Sequence, residues 1–368
     1  MSTTTLWDVS ANNQPHRGHP ARSTLADVAR LAGVSGSTAS IAFSGDGSIS
    51  AATREKVLKA AAELNYYGPD PRAKSLRQGR SGIVGVVLED RIIHSFRDPM
   101  TIAALDGISQ EIGEGGGMLL LTATGVGEPS IQTAVFDAAI FLGCSPHLAG
   151  SITVMRQRNV PMVAIEGQHF DGVVAVDLDN RKAAAVMAQH VYDLGHRLVA
   201  TVTLPLDARR ELRALTPADL ETATTAVSRD RLEGARAVYP SVTGFVTSTS
   251  SSDDGFAAAL LLLDVAPDAR PTAIIAQSDL IAVGVIRAAE ALGLLVPHDV
   301  TVVGFDGARI EGFTHHDLTT MVQPATEKGR AAGRAVTELL AGEASPDVAF
   351  TCRLHVGDTA APPTAVAR

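Results

Sequence analysis

Short apolar runs alternate with amphipathic segments along residues 82–307, and this alternation limits the possible folds more than any other feature of the chain. The runs are GIVGVVLED, GMLLLTATG, AAIFLGC, VPMVAIEG, LVATVTL, TAIIAQ and VTVVGFDG. Runs that are apolar throughout are typical of strands buried on both faces of a parallel sheet. Segments such as RKAAAVMAQHVYDLGH have the period of crossover helices. The pattern predicts a doubly wound α/β domain, whose ligands bind outside the carboxyl ends of the strands.

The first eighty residues have a different, all-helical pattern. In TLADVARLAGVSGSTASIAF, Leu25, Val28, Ala29 and Ala32 recur on one stripe, as an amphipathic helix requires. Gly33 ends this helix, and the Ser35 hydroxyl is able to cap a second one at once. Ser50 is placed to cap a third helix through TREKVLKAAAELNY. This spacing predicts a helix-turn-helix head.

The charge is unevenly distributed between these two parts. Residues 1–80 carry ten lysines and arginines against six aspartates and glutamates, although the whole chain has a net charge of −9. A polyanion is attracted to such a front end and repelled by the remainder. The simpler alternative is a small helical bundle whose basic residues are only solvated.

Three segments in register resemble the LacI/GalR regulators in order, spacing and residue type. They are TLADVARLAGVSGSTAS, SAATREKVLKAAAELNY and RAKSLRQGRSGIVGVV. The resemblance continues through DLGHRLV, SRDRLEGAR, AIIAQSDLIAVGVIRAAEALGLLVPHDVTVVGFDG and LTTMVQP. It implies a sequence-specific transcriptional regulator, a repressor whose operator affinity is controlled by a small-molecule effector. A sugar or related metabolite is the expected effector, and the sequence leaves open whether it induces or co-represses.

The resemblance also implies a DNA-binding surface. The second helix is expected in the major groove, and a basic hinge helix in the minor groove, where Leu76 is the apolar wedge between base steps. The remaining expected DNA-binding residues are Thr24, Ser35, Gly36, Ser37, Thr38, Ser40, Lys74 and Arg77. The chain departs from the family after Thr38, where Ala39-Ser40-Ile41-Ala42 replaces the usual Val-Ser-Arg-Val, and one residue is inserted near Gly68. Direct readout of bases is therefore expected to be sparse, with more weight on phosphates and DNA shape.

For the larger part, the resemblance implies two doubly wound lobes like those of a type I periplasmic binding protein, which clamp a small molecule between them. The effector-binding residues that it implies are Phe96, Arg231, Ser278, Asp279, Asp306 and Gln323. The competing interpretations are structural. Asp306 would only cap the next helix, and Arg231 would pair with Asp230 or Glu233 on the surface.

The sequence predicts the following division: a disordered extension over 1–22, a helix-turn-helix domain over 23–68, a hinge over 69–80 and a ligand-sensing and dimerisation domain over 81–368. Lobe 1 is expected over about 81–178 and 322–345, and lobe 2 over about 179–321 and 346–368. The expected partners are an operator duplex, an effector and a second copy of the chain, with a tetramer left open. A single head contacts few base pairs, which is the reason to expect a dimer.

Several other functional classes lack their sequence signals. The chain has no dinucleotide GxGxxG after a strand, no phosphate-binding P-loop and no GxSxG elbow, so an enzyme is not expected. Its two cysteines and the adjacent His315 and His316 do not by themselves indicate a metal, and no cofactor is expected. No export signal or membrane span is evident, which favours the cytoplasm. The alternative from another class is a stand-alone sugar-binding receptor, which the basic helical head opposes.

The hinge interpretation gives the first testable prediction. Leu76→Ala is expected to weaken operator binding by on the order of tenfold, because an alanine cannot hold a base step open. Effector affinity is expected to stay unchanged. Fluorescence anisotropy with an operator duplex measures the first quantity and calorimetry the second. Equal operator affinity of variant and parent would contradict the wedge role; the competing interpretation is a leucine packed on the following domain.

Overall fold

The computed structural model describes residues 23–44, 48–68, 79–88, 95–113, 116–122, 131, 133–143, 148–310, 312–313 and 315–364. The chain forms two compact units, Met1–Ser81 and Gly82–Arg368. The predicted extension over 1–22 and the predicted hinge residues Lys74, Leu76 and Arg77 lie outside the described residues. Among the described residues, no helix has both the length and the apolar character that crossing a bilayer requires.

The smaller unit contains the predicted helices α1 (Leu25–Ala32), α2 (Gly36–Ser44) and α3 (Ala51–Glu63). Thr24 and Asp27 form a reciprocal capping box at the start of α1, and Gly33 ends this helix in the left-handed conformation with φ 62°. The Ser35 hydroxyl accepts a hydrogen bond from the Thr38 amide at 3.1 Å, and Ser50 caps α3 through the amide of Thr53. The predicted caps are therefore confirmed.

The core of this unit is built from small side chains. Its fully buried members are Val28, Ala29, Ala32, Ala39, Ala42, Val57, Ala60 and Ala61. Because all of them are alanine or valine, the three helices approach closely. Phe43 and Tyr66 meet edge to face at the margin, with ring centroids 5.4 Å apart.

The larger unit is an α/β structure of two lobes. Its helices are α4 (Pro99–Ile112), α5 (Leu148–Gln157), α6 (Asn180–Asp193), α7 (Asp219–Thr222), α8 (Ala226–Val238), α9 (Ser252–Leu263), α10 (Asp279–Ala291) and α11 (Ala325–Leu340). Its strands are β1 (Ile83–Leu88), β2 (Gly117–Thr122), β3 (Ala138–Leu142), β4 (Met162–Ile165), β5 (Val174–Leu178), β6 (Val199–Thr203), β7 (Arg213–Ala214), β8 (Thr243–Val246), β9 (Ala273–Ala276), β10 (Thr301–Asp306), β11 (Thr319–Val322), β12 (Val348–Phe350) and β13 (Arg353–His355). Each of the predicted apolar runs contains one strand.

Each lobe is organised around one sheet. The sheet of lobe 1 has the order β12-β5-β4-β3-β1-β2, and all its neighbouring strands are parallel. The sheet of lobe 2 has the order β13-β11-β10-β9-β6-β8-β7, with β13 and β7 antiparallel to their neighbours. Apolar clusters fill the space between the helices and both faces of each sheet. This architecture confirms the predicted fold class.

The chain passes between the lobes three times, after β5, after β11 and after β12. The last passage comes later than the sequence analysis placed it. Residues from 346 onward were assigned to lobe 2, whereas β12 pairs in parallel with β5 in lobe 1. The strand is three residues long, too short for its pattern to reveal which sheet it joins.

Glycines allow α4 and α11 to pack unusually closely in lobe 1. A Cβ atom at Gly329 would overlap the carbonyl oxygen of Ala104, and one at Gly107 would overlap that of Thr326. Both obstacles are backbone atoms, which cannot rotate away. The two helices therefore need glycine at these positions to reach their present distance.

Gly329→Ala is expected to lower the free energy of unfolding by about 1–3 kcal/mol, because the added methyl group forces the two helices apart. The matched control is Gly150→Ala, since Gly150 lies in α5 with open space where the Cβ would be. There, alanine is expected to be neutral or to stabilise by about 0.5–1 kcal/mol. Denaturant unfolding followed by circular dichroism measures both. Equal losses in the two variants would contradict the close-packing explanation.

Candidate functional site

A closed ring of polar side chains lies where the chain passes between the lobes of the larger unit. We call it the polar ring, and its members are Glu166, Asn180, Arg231, Asp306, Gln323 and Lys328. Glu166 directly follows β4, and Asp306 is the last residue of β10. Asn180 begins α6 at the first passage. Gln323 follows β11 at the second passage. The ring therefore joins residues of both lobes.

Every neighbouring pair in the polar ring is in contact. Asn180 Nδ2 donates to Glu166 Oε1 at 2.8 Å, and Arg231 Nε donates to Asn180 Oδ1 at 2.8 Å. On the other side, Lys328 Nζ donates to Glu166 Oε2 and Gln323 Oε1.

Two further contacts close the ring. Gln323 Nε2 donates to Asp306 Oδ1 at 2.6 Å. That oxygen lies 3.6 Å from Arg231 Nη1. Each member thus touches two others, and acidic and basic residues alternate around the ring.

Arg231 is held on several sides by groups other than Asp230 or Glu233. Its side chain is 4% exposed, and Nη1 also donates to the backbone oxygen of Gln277 at 2.5 Å. The guanidinium lies over the Phe305 ring, with 3.6 Å from Cζ to the centroid. Asp230 pairs instead with Arg229, and Glu233 with Arg181. The surface ion-pair interpretation of Arg231 is therefore wrong.

Opposing effects set the pKa of the two ring carboxylates. Burial acts to raise the pKa of Glu166, but the charges of Lys328 and Arg231 and the hydrogen bonds to this carboxylate outweigh it, so the pKa is lowered. For Asp306, burial outweighs the attraction of Arg231 and raises the pKa well above its usual value. Asp306 also has φ 126°, a conformation costly for a residue other than glycine. It does not cap a helix, since its carboxylate accepts from Gln323 instead.

Asp279 and Ser278 form a second buried group beside the end of β10. Ser278 caps α10 and exchanges a hydrogen bond with Ser250 at 2.9 Å. Asp279 accepts from the Thr320 hydroxyl at 2.6 Å and from the Ala308 amide at 2.7 Å. Burial raises the pKa of Asp279 to about 7, against the effect of these hydrogen bonds.

A cavity of about 450 Å³ lies between the two lobes, beside the polar ring. Lobe 1 contributes residues of the β1, β3 and β4 ends and of α4, and lobe 2 contributes the loops after β6 and β8 and the start of α8. Its polar lining includes Ser95, Arg97, Asp98, Thr101, Arg210, Thr225, Ser228, Thr249, Ser250 and Asp253. Glu166 and Lys328 belong both to this lining and to the polar ring. The cavity has the size and the strand-end position of a small-molecule site.

The predicted effector residues lie beside this cavity rather than on its wall. Arg231, Asp306 and Gln323 belong to the polar ring. Ser278 and Asp279 are buried next to this ring, with 2% and 1% exposure. Phe96 is 60% exposed and outside the lining, although its neighbours Ser95, Arg97 and Asp98 line the cavity. Direct contact of these six residues with an effector stays a prediction.

Sequence reasoning missed Glu166, Asn180 and Lys328. Glu166 directly follows the apolar run of β4, so the rule that ligands bind at strand ends could have found it. Lys328 is a charged residue on the buried stripe of α11, beside Ala325 and Ala332. Such a buried lysine signals a nearby carboxylate.

In the smaller unit, the start of α2 offers an exposed surface. Thr24, Ser35, Gly36 and Ser37 are exposed, and Thr38 and Ser40 are half-buried. The Ser35 hydroxyl also contacts those of Ser37 and Thr38 at 2.8 Å. Side chains at this helix start are short, so the backbone itself can approach a partner closely.

Comparison with known proteins identifies both units. Residues 24–69 match the lacI family of bacterial regulatory proteins, and residues 188–360 match the periplasmic binding protein-like domain. The chain is 32% identical to the HTH-type transcriptional regulator IpsA of Corynebacterium glutamicum, over 92% of this chain and 98% of that protein. It belongs to the LacI family.

Other relatives agree with this assignment. The ribose operon repressor of Escherichia coli is 32% identical over 84% of this chain and 90% of that protein. The solved structure of the transcriptional regulator CelR with cellobiose matches this chain with 25% identity and a TM-score of 0.63. The match covers 92% of this chain and 100% of that one. The predicted family and regulatory function are confirmed. This LacI-family chain is a transcriptional regulator with a helix-turn-helix DNA-binding domain and an effector-binding domain. Regulators of this family are not enzymes.

The buried carboxyl group of Asp279 predicts a pH dependence of stability. Because folding raises the pKa of Asp279 to about 7 from 3.8, the native state binds more protons than the unfolded state between these values. Asp279 is therefore expected to contribute a fall in the free energy of unfolding as the pH rises from about 4 to about 7, by up to about 1.4 kcal/mol per pH unit. Asp279→Asn is expected to flatten this slope. Denaturant unfolding at a series of pH values measures it, and an unchanged slope in the variant would contradict the assignment.

Proposed function

We propose that this LacI-family protein binds a near-palindromic operator as a homodimer, represses the adjacent promoter and changes its operator affinity when a small polar effector occupies the cavity between the lobes. It would act in the cytoplasm, at the nucleoid. The main support is the cavity itself, because both lobes contribute polar groups to one space that shares Glu166 and Lys328 with the polar ring. A molecule there contacts both lobes at once.

The effector class follows from the lining. Hydroxyl groups from Ser250 and Thr249 and charged groups from Arg97 and Asp253 face a space of about 450 Å³, which suits a ligand rich in hydroxyl groups. We therefore propose a sugar, a polyol or a related metabolite. The cellobiose bound to CelR supports this class for a related regulator.

Arg231, Asp306 and Gln323 enter this proposal through the two residues shared between ring and cavity. An effector oxygen that replaces Gln323 as a partner of Lys328, or an effector hydroxyl that replaces Asn180 as a partner of Glu166, opens the ring. The amide group of Gln323 or Asn180 then has a hydrogen-bonding position available for another partner. The ring then rearranges with the effector, and Arg231 and Asp306 become its direct polar contacts. Since the ring joins both lobes, the effector is able to favour one lobe arrangement over another.

The regulatory coupling that this requires is modest. An effector must bind the two lobe arrangements unequally, by about 1–3 kcal/mol, to change operator affinity. In the proposed mechanism the lobes of the dimer set the separation of the two hinge segments. Helices this short are not stable alone and fold only when paired on DNA. A small change of separation is then enough to unfold them.

The short side chains at the start of α2 support a particular mode of DNA recognition. Ser35, Gly36 and Ser37 reach few base edges, so we propose that phosphate contacts and the hinge at Lys74, Leu76 and Arg77 contribute most of the affinity. Thr24, Thr38 and Ser40 would contact the backbone or nearby bases. Binding is then strongly salt dependent, with broad tolerance to base changes under α2.

Selection of the full-length chain against random duplexes tests the proposal. We expect enrichment of a sequence with dyad symmetry, and a loss of binding to it as salt increases. A panel of aldoses, disaccharides, polyols and nucleosides is then added to the complex, and one class is expected to change its affinity at least fivefold. Absence of any preferred duplex, with or without the panel, would overturn the DNA-binding role.

Arg97→Ala separates effector binding from DNA binding. Arg97 is exposed and lines the cavity, so its loss is expected to weaken the response to the active compound about tenfold while operator affinity without it is retained. Arg229→Ala is the matched control, since Arg229 pairs with Asp230 outside the cavity lining. An equal effect of both variants would contradict the cavity as effector site.

A further inference from the structure

Two adjacent histidines and a glutamate converge at the far end of α10 from the Asp279 group. Glu290 lies near the end of α10, and His315 and His316 lie on the segment between β10 and β11. One potential ligand atom of each residue lies within 4.8 Å of the other two. We propose that these three residues bind a Zn²⁺ ion, with water as the fourth ligand.

The spacing of the donor atoms fits a metal better than it fits hydrogen bonds. Glu290 Oε1 lies 3.4 Å from His315 Nε2 and 3.6 Å from His316 Nε2. Both separations are longer than the 3.3 Å hydrogen bond between His316 Nδ1 and Asp358 Oδ1, and well above the most common N–H···O distance of about 2.9–3.0 Å. Ligands about 2.0–2.2 Å from a tetrahedral Zn²⁺ lie roughly 3.3 Å apart, so the two distances from Glu290 to the histidines are close to those of a coordination shell.

His316 has the second contact that zinc-binding histidines usually have. Its Nδ1 lies 3.3 Å from Asp358 Oδ1, while Nε2 faces Glu290. A carboxylate on the far nitrogen fixes the tautomer, orients the ring and raises its basicity toward the metal. Asp358 is itself positioned, because Oδ1 also accepts from the Asp317 amide at 3.0 Å.

The surroundings leave the site rigid on one side and open on the other. Phe313 packs against both imidazoles, with centroids 5.3 Å from His315 and 6.0 Å from His316. His316 is 18% exposed, whereas His315 is 58% and Glu290 42% exposed, so an ion and a water molecule reach the donors from solvent. Two nitrogen donors and one carboxylate favour Zn²⁺ over Mg²⁺ or Ca²⁺, which prefer oxygen ligands only.

A bound ion would cross-link the C-terminal end of α10 to the segment after β10. The start of that segment already contacts the start of α10, through the Ala308 amide and Asp279. The ion would thus fix the second end of the same pair of elements. Residue spacing in the sequence did not indicate this site, because Glu290 precedes His315 by 25 positions.

The test is a Zn²⁺ titration of the full-length chain after removal of metals with a chelator, in competition with a chromogenic chelator of known affinity. His315→Asn/His316→Asn is expected to bind one equivalent fewer than the parent. Asp358→Asn is expected to keep the equivalent with about 10–100-fold weaker affinity. His298→Asn is the matched control, since His298 is a surface histidine of lobe 2 beside Asp299. It is expected to bind like the parent.

Two further measurements make the result independent of folding defects. Co²⁺ at this site is expected to give the intense visible absorption of tetrahedral coordination, lost in Glu290→Gln. Saturating Zn²⁺ is expected to raise the melting temperature of the parent by roughly 5 °C and that of the double variant by much less. The same number and affinity of Zn²⁺ ions in the parent and the double variant, with circular dichroism showing both folded, would overturn the site. So would an equal loss in His298→Asn.

Discussion

Buried charges cost several kcal/mol each unless a partner lies within hydrogen-bonding distance, and this constraint governs the passage between the two lobes. Lys328 and Arg231 are each nearly inaccessible, at 3% and 4% side-chain exposure, so each needs a carboxylate and neutral partners close by. Those partners come from both lobes. The lobes are therefore joined by a set of contacts in which removing a charged member leaves the charge of its partner uncompensated.

The same ring provides a physical route for regulation. Glu166 and Lys328 face both the ring and the cavity, so a polar ligand competes with hydrogen bonds that hold the lobes in their present arrangement. A ring in which all partners are already satisfied changes only when another molecule offers equivalent partners. Such a site favours ligands with several hydroxyl groups over apolar ones of the same size.

The helical unit follows a contrasting principle. The buried members of its core are all alanine or valine, and its helix ends are fixed by caps such as Thr24 with Asp27 and Ser50 with Thr53. These are local interactions, formed between residues three positions apart. For this reason the sequence was sufficient to place α1, α2 and α3 and their caps. Strands β5 and β8, which contain polar residues, and the three-residue strand β12, which is mostly exposed, were not predicted, because each forms only by pairing with distant parts of the chain.

The sequence by itself determined the two-part organisation, the alternation of strands and helices, and the strand ends around which the site forms. Hydrophobic periodicity and helix capping involve residues close together in the chain, so both can be recognised from the sequence. Tertiary structure alone decided that Arg231 and Asp306 face each other and not a surface neighbour, that β12 joins the sheet of lobe 1, and that Glu290 meets His315 and His316. Each of these depends on contacts between residues far apart in the chain, and the pattern of residues along the chain does not encode which distant donor meets which acceptor.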